Sequence, residues 1–359
     1  MMNSVVPKRP FGKTGAMIAK LGLGGSSLDG IEGPALLDEA LRHGVDFWES
    51  TMLAGGGKLR EYFQRHPGAR EQVFVSAKTN STDPAVMQAQ LDKTLADLDT
   101  SCVDFLAIHA VDNIAALNDD VRKWADAVKK RKQIRYFGFC THRNMDRCLS
   151  AGADLGWIDG IQTFCNYRLR SVASMEDALR KCHEKGVGII AVKSMGLCVQ
   201  PRAELPTPPF NEETMSFEQA KLHAIWQNPS LTSVCSLMPN SAVLQANIAA
   251  ALDERPLDEE VERWLADHAK STERYFCRCC GDICESANAD KIPIFNVMRL
   301  LLYSRAYGQN DFAAKYFAQI PMEIRKKMSG GDYSLAEKLC PQKMPIAQLM
   351  KEAYLELSR

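Results

Sequence analysis

"QVFVSAKTNSTDPAVMQAQLDKTLADLDTSCVDFLAIHA", residues 72–110, is the stretch whose reading decides the fold. It opens on a continuous apolar run, "QVFVSAKT", and closes on a second, "VDFLAIHA". Between them lies a helical pattern, residues 83–100, that starts at Asp83-Pro84. Short apolar runs without strict alternation are what strands covered on both faces show, and a helix between two of them makes a right-handed parallel crossover. The same unit recurs along the chain. Upstream runs are "AKLGLGG" (19–25) and "VDFWES" (45–50); downstream ones are "RYFGFCT" (135–141), "GIQTFCN" (160–166), "GIIAVKS" (188–194) and "TSVCSLM" (232–238). Eight such units predict a closed (β/α)8 TIM barrel, an α/β fold. An open doubly wound sheet is the alternative, but "GLGGSS" (22–27) is not the glycine fingerprint expected after its first strand.

Past residue 255 the pattern changes to helices alone, so we expect residues 1–255 to form the barrel and 256–359 a small helical domain with a cysteine cluster. The chain carries 44 basic and 44 acidic residues, a balance that gives no electrostatic case for nucleic acid. No window approaches the roughly 18–20 apolar residues of a membrane span, and the first residues lack a signal-peptide core. The expectation is a cytoplasmic protein with neither nucleic acid nor membrane as partner.

Polar residues at the C-terminal ends of barrel strands line the mouth, because those ends open into the βα loops. Glu49, Lys78 and His109 end the second, third and fourth strands, and Gln162 with Asn166 ends the sixth. A carboxylate beside a lysine keeps the lysine charged, and a histidine can hydrogen-bond a carbonyl oxygen. These three are the candidate catalytic set. A lysine closing a strand can equally be a solvated end, and a histidine after "FLAI" a satisfied barrel residue.

Of the 12 cysteines, seven are scattered, among them Cys140 and Cys235, and read as small core residues. "CRCCGDIC" (277–284) is different. Cys277, Cys280 and Cys284 follow C-x2-C-x3-C spacing, and "KLCPQKMPI" (338–346) adds a remote Cys340 followed by proline. Three close thiolates and a distant Cys-Pro are similar to a ferredoxin-type half site, with Cys279 a less well spaced alternative to Cys280. Zinc is the rival, since four thiolates also make a closed tetrahedral site, although its ligands come more often as two matched pairs.

Residues 7–253 resemble an aldo-keto reductase. "PFGKTGAMIAKLGLGG" (10–25) resembles the family's opening and "GVDFWEST" (44–51) its second strand. "VFVSAKT", "VDFLAIHAVDN", "IRYFGFCTH", "IQTFCNYRL" and "GVGIIAVKSMG" resemble the strands that follow, in order. The resemblance implies a nicotinamide-dependent oxidoreductase acting on a small-molecule carbonyl or alcohol, with an Asp, Tyr, Lys, His tetrad. Lys78 and His109 fall on the lysine and histidine positions. It further implies that Gln162 and Asn166 hold the nicotinamide amide, and that Ser241, Gln245 and Asn247, in "MPNSAVLQANIAAAL" (238–252), approach the adenosine phosphate of NAD(P)(H). No Arg or Lys stands in that loop to receive a 2′-phosphate. The tail from Cys277 to Leu357 looks like the ferredoxin-like domain some family members carry, which implies one 4Fe-4S cluster and an electron-transfer partner.

The chain departs from the family at its second strand. Where Asp-Thr-Ala and then a Tyr-Gly pair are usual, it reads Glu49-Ser50-Thr51 and then Ala54-Gly55. Glutamate can still pair with Lys78, but alanine donates no proton. Tyr62, on the following helix, and Tyr167, just past the sixth strand beside Asn166 and closer to the expected mouth, are the tyrosines that could replace the phenol, a task His109, or Lys78 through a water, could also take. An alternative function is therefore a non-catalytic or electron-transfer protein that uses the barrel as a scaffold, and a lyase or isomerase is a third possibility.

Overall fold

The computed structural model describes residues 5–24, 34–50, 57–199 and 215–358. They fall into two compact units, one of residues 5–195 with 215–259 and the other of 196–199 with 260–358.

The first unit is a closed barrel of eight parallel strands. Its strands are β3 (Leu21–Leu23), β4 (Phe47–Glu49), β5 (Phe74–Thr79), β6 (Val103–Ile108), β7 (Ile134–Thr141), β8 (Gly160–Phe164), β9 (Gly188–Val192) and β10 (Ser233–Ser236), and β10 closes on β3. Each of the eight apolar runs read from the sequence carries one of them. Between strands, amphipathic helices cover the outside. The helix Pro84–Leu98 shows why one forms there: Asp83 accepts from the Ala85 and Val86 amides, Pro84 presets the first turn, and Met87, Leu91, Leu95 and Leu98 make one buried stripe.

Ahead of the barrel a hairpin, β1 (Lys8–Pro10) and β2 (Met17–Ala19), was not foreseen from the sequence. It carries Phe11, which stops the N-terminal end of the cylinder. The Phe11 ring meets Phe74, Phe105 and Tyr136 edge-on at 5.2–5.8 Å. Glycines make the space: a Cβ on Gly160 or Gly188 would stand 2.2 or 2.3 Å from the Phe11 ring.

Side chains two apart on a strand face the same way. The inward positions that give Phe47, Phe74, Phe105 and Tyr136 at the bottom therefore give Glu49, Lys78, His109 and Cys140 higher up, toward the C-terminal ends.

The second unit is helical, with helices including Gly281–Ser286, Ile294–Tyr307, Asn310–Phe317, Ser334–Leu339 and Ile346–Leu357. Val297, Leu301, Phe317, Met328, Ala336 and Met350 form its core. Arg305 ties two of its helices by pairing with Glu352 at 2.7 Å and with Glu356. Among the described residues, no helix is long and apolar enough to cross a membrane.

Candidate active site

Glu49, the last residue of β4, is buried, and both its oxygens are engaged. Lys78 Nζ, from β5, lies 2.9 Å from Oε1, and Gln162 Nε2, from β8, donates to Oε2 at 2.9 Å. Gln162 also reaches Ser76 Oγ at 3.3 Å, and the Cys235 thiol donates to Glu49 at 3.7 Å. Four strands thus converge on one carboxylate. Burial pushes that carboxyl up, but Lys78, the Gln162 bond and His109 outweigh it and hold it below its ordinary value. Burial acts on Lys78 in the opposite sense, yet the Glu49 charge wins and raises its pKa. At neutral pH the pair is ionised.

A carboxyl depressed in this way contributes stability that is complete above its unfolded value of about 4.3 and is lost as pH falls through the folded value. The Lys78 contribution, with a raised folded pKa, persists until pH rises past about 10.4. Between these limits the pair's contribution is flat. We therefore expect acidification below about pH 4 to lower the wild-type melting temperature more steeply than that of Glu49→Gln; parallel melting curves for the two proteins would contradict this coupling.

His109 follows β6 directly, exposed at the mouth, with its amide bonded to Thr79 O at 2.7 Å. Its ring lies edge-on to His142, 5.4 Å between centroids. Asn166 stands two residues past β8, and its Oδ1 accepts from the Arg168 amide at 3.1 Å. Gln162 Oε1, Asn166 Nδ2 and Ser194 Oγ are buried here and make no hydrogen bond among the described residues. Buried groups of this kind are ordinarily paired, so an acceptor and a donor so disposed suit a planar amide.

The three residues expected near the adenosine phosphate have partners of their own. Ser241 Oγ and Gln245 Nε2 donate to the two oxygens of Glu39 at 2.6 and 2.8 Å, and Asn247 Nδ2 donates to Ser236 Oγ at 3.2 Å. Thr51, Ala54 and Gly55 lie outside the described residues. Tyr62 is occupied elsewhere: its hydroxyl donates to Asp38 at 2.8 Å and its ring packs on Trp48 and His66. Tyr167 is buried beyond β8, edge-on to Phe217.

Sequence reading passed over Ser76, Cys140, His142, Lys193 and Cys235. Cys140 and Cys235 are indeed buried, but both bear on Glu49 and Lys78. Only strand register tells an inward cysteine at the mouth from one packed against a helix.

In the helical unit, Cys277, Cys280, Cys284 and Cys340 line one recess whose other walls include Ile294, Phe295, Met298, Met344 and Ile346. Cys279, in a left-handed conformation with φ 63°, is not among the lining residues, and its thiol turns to Cys277 O at 3.5 Å. The Cys279 hydrogen bond and then burial push the Cys277 thiol well up, and burial with neighbouring thiols pushes Cys280 and Cys284 up to about 12. Four sulfurs in an apolar recess that penalises bare thiolates suit a cationic centre, whose charge reverses that penalty.

The aldo/keto reductase family profile matches residues 20–273, and the chain belongs to that family of oxidoreductases, which use NAD(P)(H) on small-molecule substrates. Among solved structures it is similar to an aldo-keto reductase from Bacillus halodurans, described as a holo form. The two share 17% identity with a TM-score of 0.58, over 73% of this chain and 96% of that one. A thermostable aldo-keto reductase solved with the inhibitor epalrestat is similar at 20% identity and TM-score 0.57, over 73% and 99% of the two chains. At these identities the likeness establishes the barrel fold.

Proposed function

We propose that the barrel is a nicotinamide-dependent oxidoreductase for a small carbonyl or alcohol, and that the helical unit carries one 4Fe-4S cluster held by Cys277, Cys280, Cys284 and Cys340. The observation that carries the first half is the buried Glu49–Lys78 pair, anchored by Gln162 beneath the mouth. Nicotinamide, when bound, gives or takes hydride, and an iron-sulfur cluster passes single electrons.

The chain's own residues do the rest. Glu49 keeps Lys78 protonated and fixed in direction, and the ammonium has three donors, of which Glu49 takes one. Those remaining favour negative charge developing on a substrate oxygen at the mouth. His109, at the rim of the same opening, offers a ring nitrogen to that oxygen. Gln162 Oε1 and Asn166 Nδ2 would hold the carboxamide, which satisfies both buried atoms. In sequence, Ala54 falls at the position of the family's usual proton donor, and the Tyr62 hydroxyl is committed to Asp38.

Glu39 bears on the choice of nucleotide. Its carboxylate sits with Ser241 and Gln245, in the segment that resembles the adenosine-phosphate site, and those two hydrogen bonds hold its pKa down. A negative group there opposes a 2′-phosphate and suits a ribose hydroxyl. NADH should bind at least about tenfold tighter than NADPH, roughly 1.4 kcal/mol, and Glu39→Lys should narrow or reverse that preference. Equal affinities in both proteins would remove Glu39 from the nucleotide site.

The reading as a whole is tested by titrating the anaerobically purified chain with NADH and NADPH, followed by tryptophan fluorescence. Binding of neither nucleotide would leave the barrel as a scaffold and the electron-transfer alternative as the better account.

A further inference from the structure

The side chains of His109, Cys140 and His142 present one ligating atom each, all within 4.8 Å of one another. Cys140 Sγ and His142 Nε2 are 3.3 Å apart. Their convergence follows from the strands. Cys140 and His142 are two apart at the end of β7 and so face one side, while Thr141 between them turns to Arg143 O at 3.0 Å. Register pairs Ile108 with Phe139, which brings His109, the next residue of its strand, alongside Cys140.

We propose that these three residues bind a divalent transition metal of the zinc class at the barrel mouth, with its fourth position open to the substrate oxygen. Two imidazoles and one thiolate are a borderline-soft set of the kind zinc takes, and three protein ligands with one open position is the arrangement of catalytic rather than structural zinc. Cys140 is fully buried and His142 is 8% exposed, whereas His109 lies exposed, so the site is closed on the cysteine side and open at the rim. On binding, the thiol proton leaves to solvent and the sulfur–metal bond replaces the S–H bond.

A metal held here withdraws electron density from a carbonyl oxygen without needing a proton donor, and with the metal bound His109 acts on that oxygen through the metal instead of by its own hydrogen bond. The metal therefore supplies a polarising group to a chain whose sequence has Ala54 in place of the family's usual tyrosine. The substrate class rests on the oxidoreductase reading above, but the site itself does not.

The test uses the full chain, purified anaerobically with its helical unit intact, and Co2+ as the probe. Wild type should show a thiolate-to-cobalt charge-transfer band together with the visible bands of a four-coordinate ion. Cys140→Ala and His142→Asn should lose them, with Co2+ binding weakened by more than the about 10- to 100-fold that follows loss of an outer-shell partner. His109→Asn, at an exposed position where folding is not at risk, should shift the bands. Cys284→Ala, which alters only the other cysteine site, should retain them. Bands that survive Cys140→Ala, or that vanish with Cys284→Ala alone, overturn the site. NADH titration of the same samples separates the two claims. Nucleotide binding without the cobalt bands sinks the metal site and leaves the activity, and cobalt bands without nucleotide binding do the reverse.

Discussion

Lys78→Met is expected to abolish nicotinamide-dependent turnover, by about 100- to 10,000-fold, the range that loss of a group acting on the proton or charge of the reacting oxygen commands. The same substitution leaves Glu49 charged in a pocket where its side chain is 7% exposed. Breaking a buried pair from one side costs about 3–5 kcal/mol. Steady-state rates and urea unfolding together read both effects. Adding Glu49→Gln removes the stranded charge while keeping an amide that Gln162 can still meet, so the double variant should recover most of the stability and none of the turnover. A single variant that keeps both its rate and its unfolding midpoint would show that the pair has no part in the chemistry.

Cys340→Ser should have the next largest effect, on metal content. Anaerobically purified wild type should be brown and hold about four irons per chain. The variant should lose colour and iron, as should Cys280→Ser, whereas Cys279→Ser should keep both, since its thiol turns away from the recess to Cys277 O. The helical unit should remain folded in all three, because Val297, Leu301, Phe317 and Met350 bury an apolar core that does not depend on the sulfurs. A colourless wild type with one tightly held zinc would replace the iron-sulfur proposal with the tetrahedral alternative.

The barrel could be read from the chain because strands covered on both faces need little besides apolar residues, and "VDFLAIHA" or "GIIAVKS" offers little else. The hairpin that carries Phe11 gave no such signal. Its strands are three residues long and partly exposed, so no apolar periodicity can build up over them. At the mouth, Glu49, Lys78 and His109 stood out as polar residues ending apolar runs. Cys140 and Cys235 did not, because cysteine is apolar enough to vanish into a run, and which side it faces is decided by register with neighbouring strands. The orphaned Gln162 Oε1 and the bond from Tyr62 to Asp38 depend on side chains more than 20 residues apart and have no local signature.

Phe11 and the rings around it fill the N-terminal end of the cylinder, so among the described residues the approach to Glu49 and Lys78 is by the C-terminal rim. A nucleotide spread over the opening would then govern traffic for the smaller molecule beneath it, so the order of arrival and departure becomes a property of the architecture rather than of relative affinities.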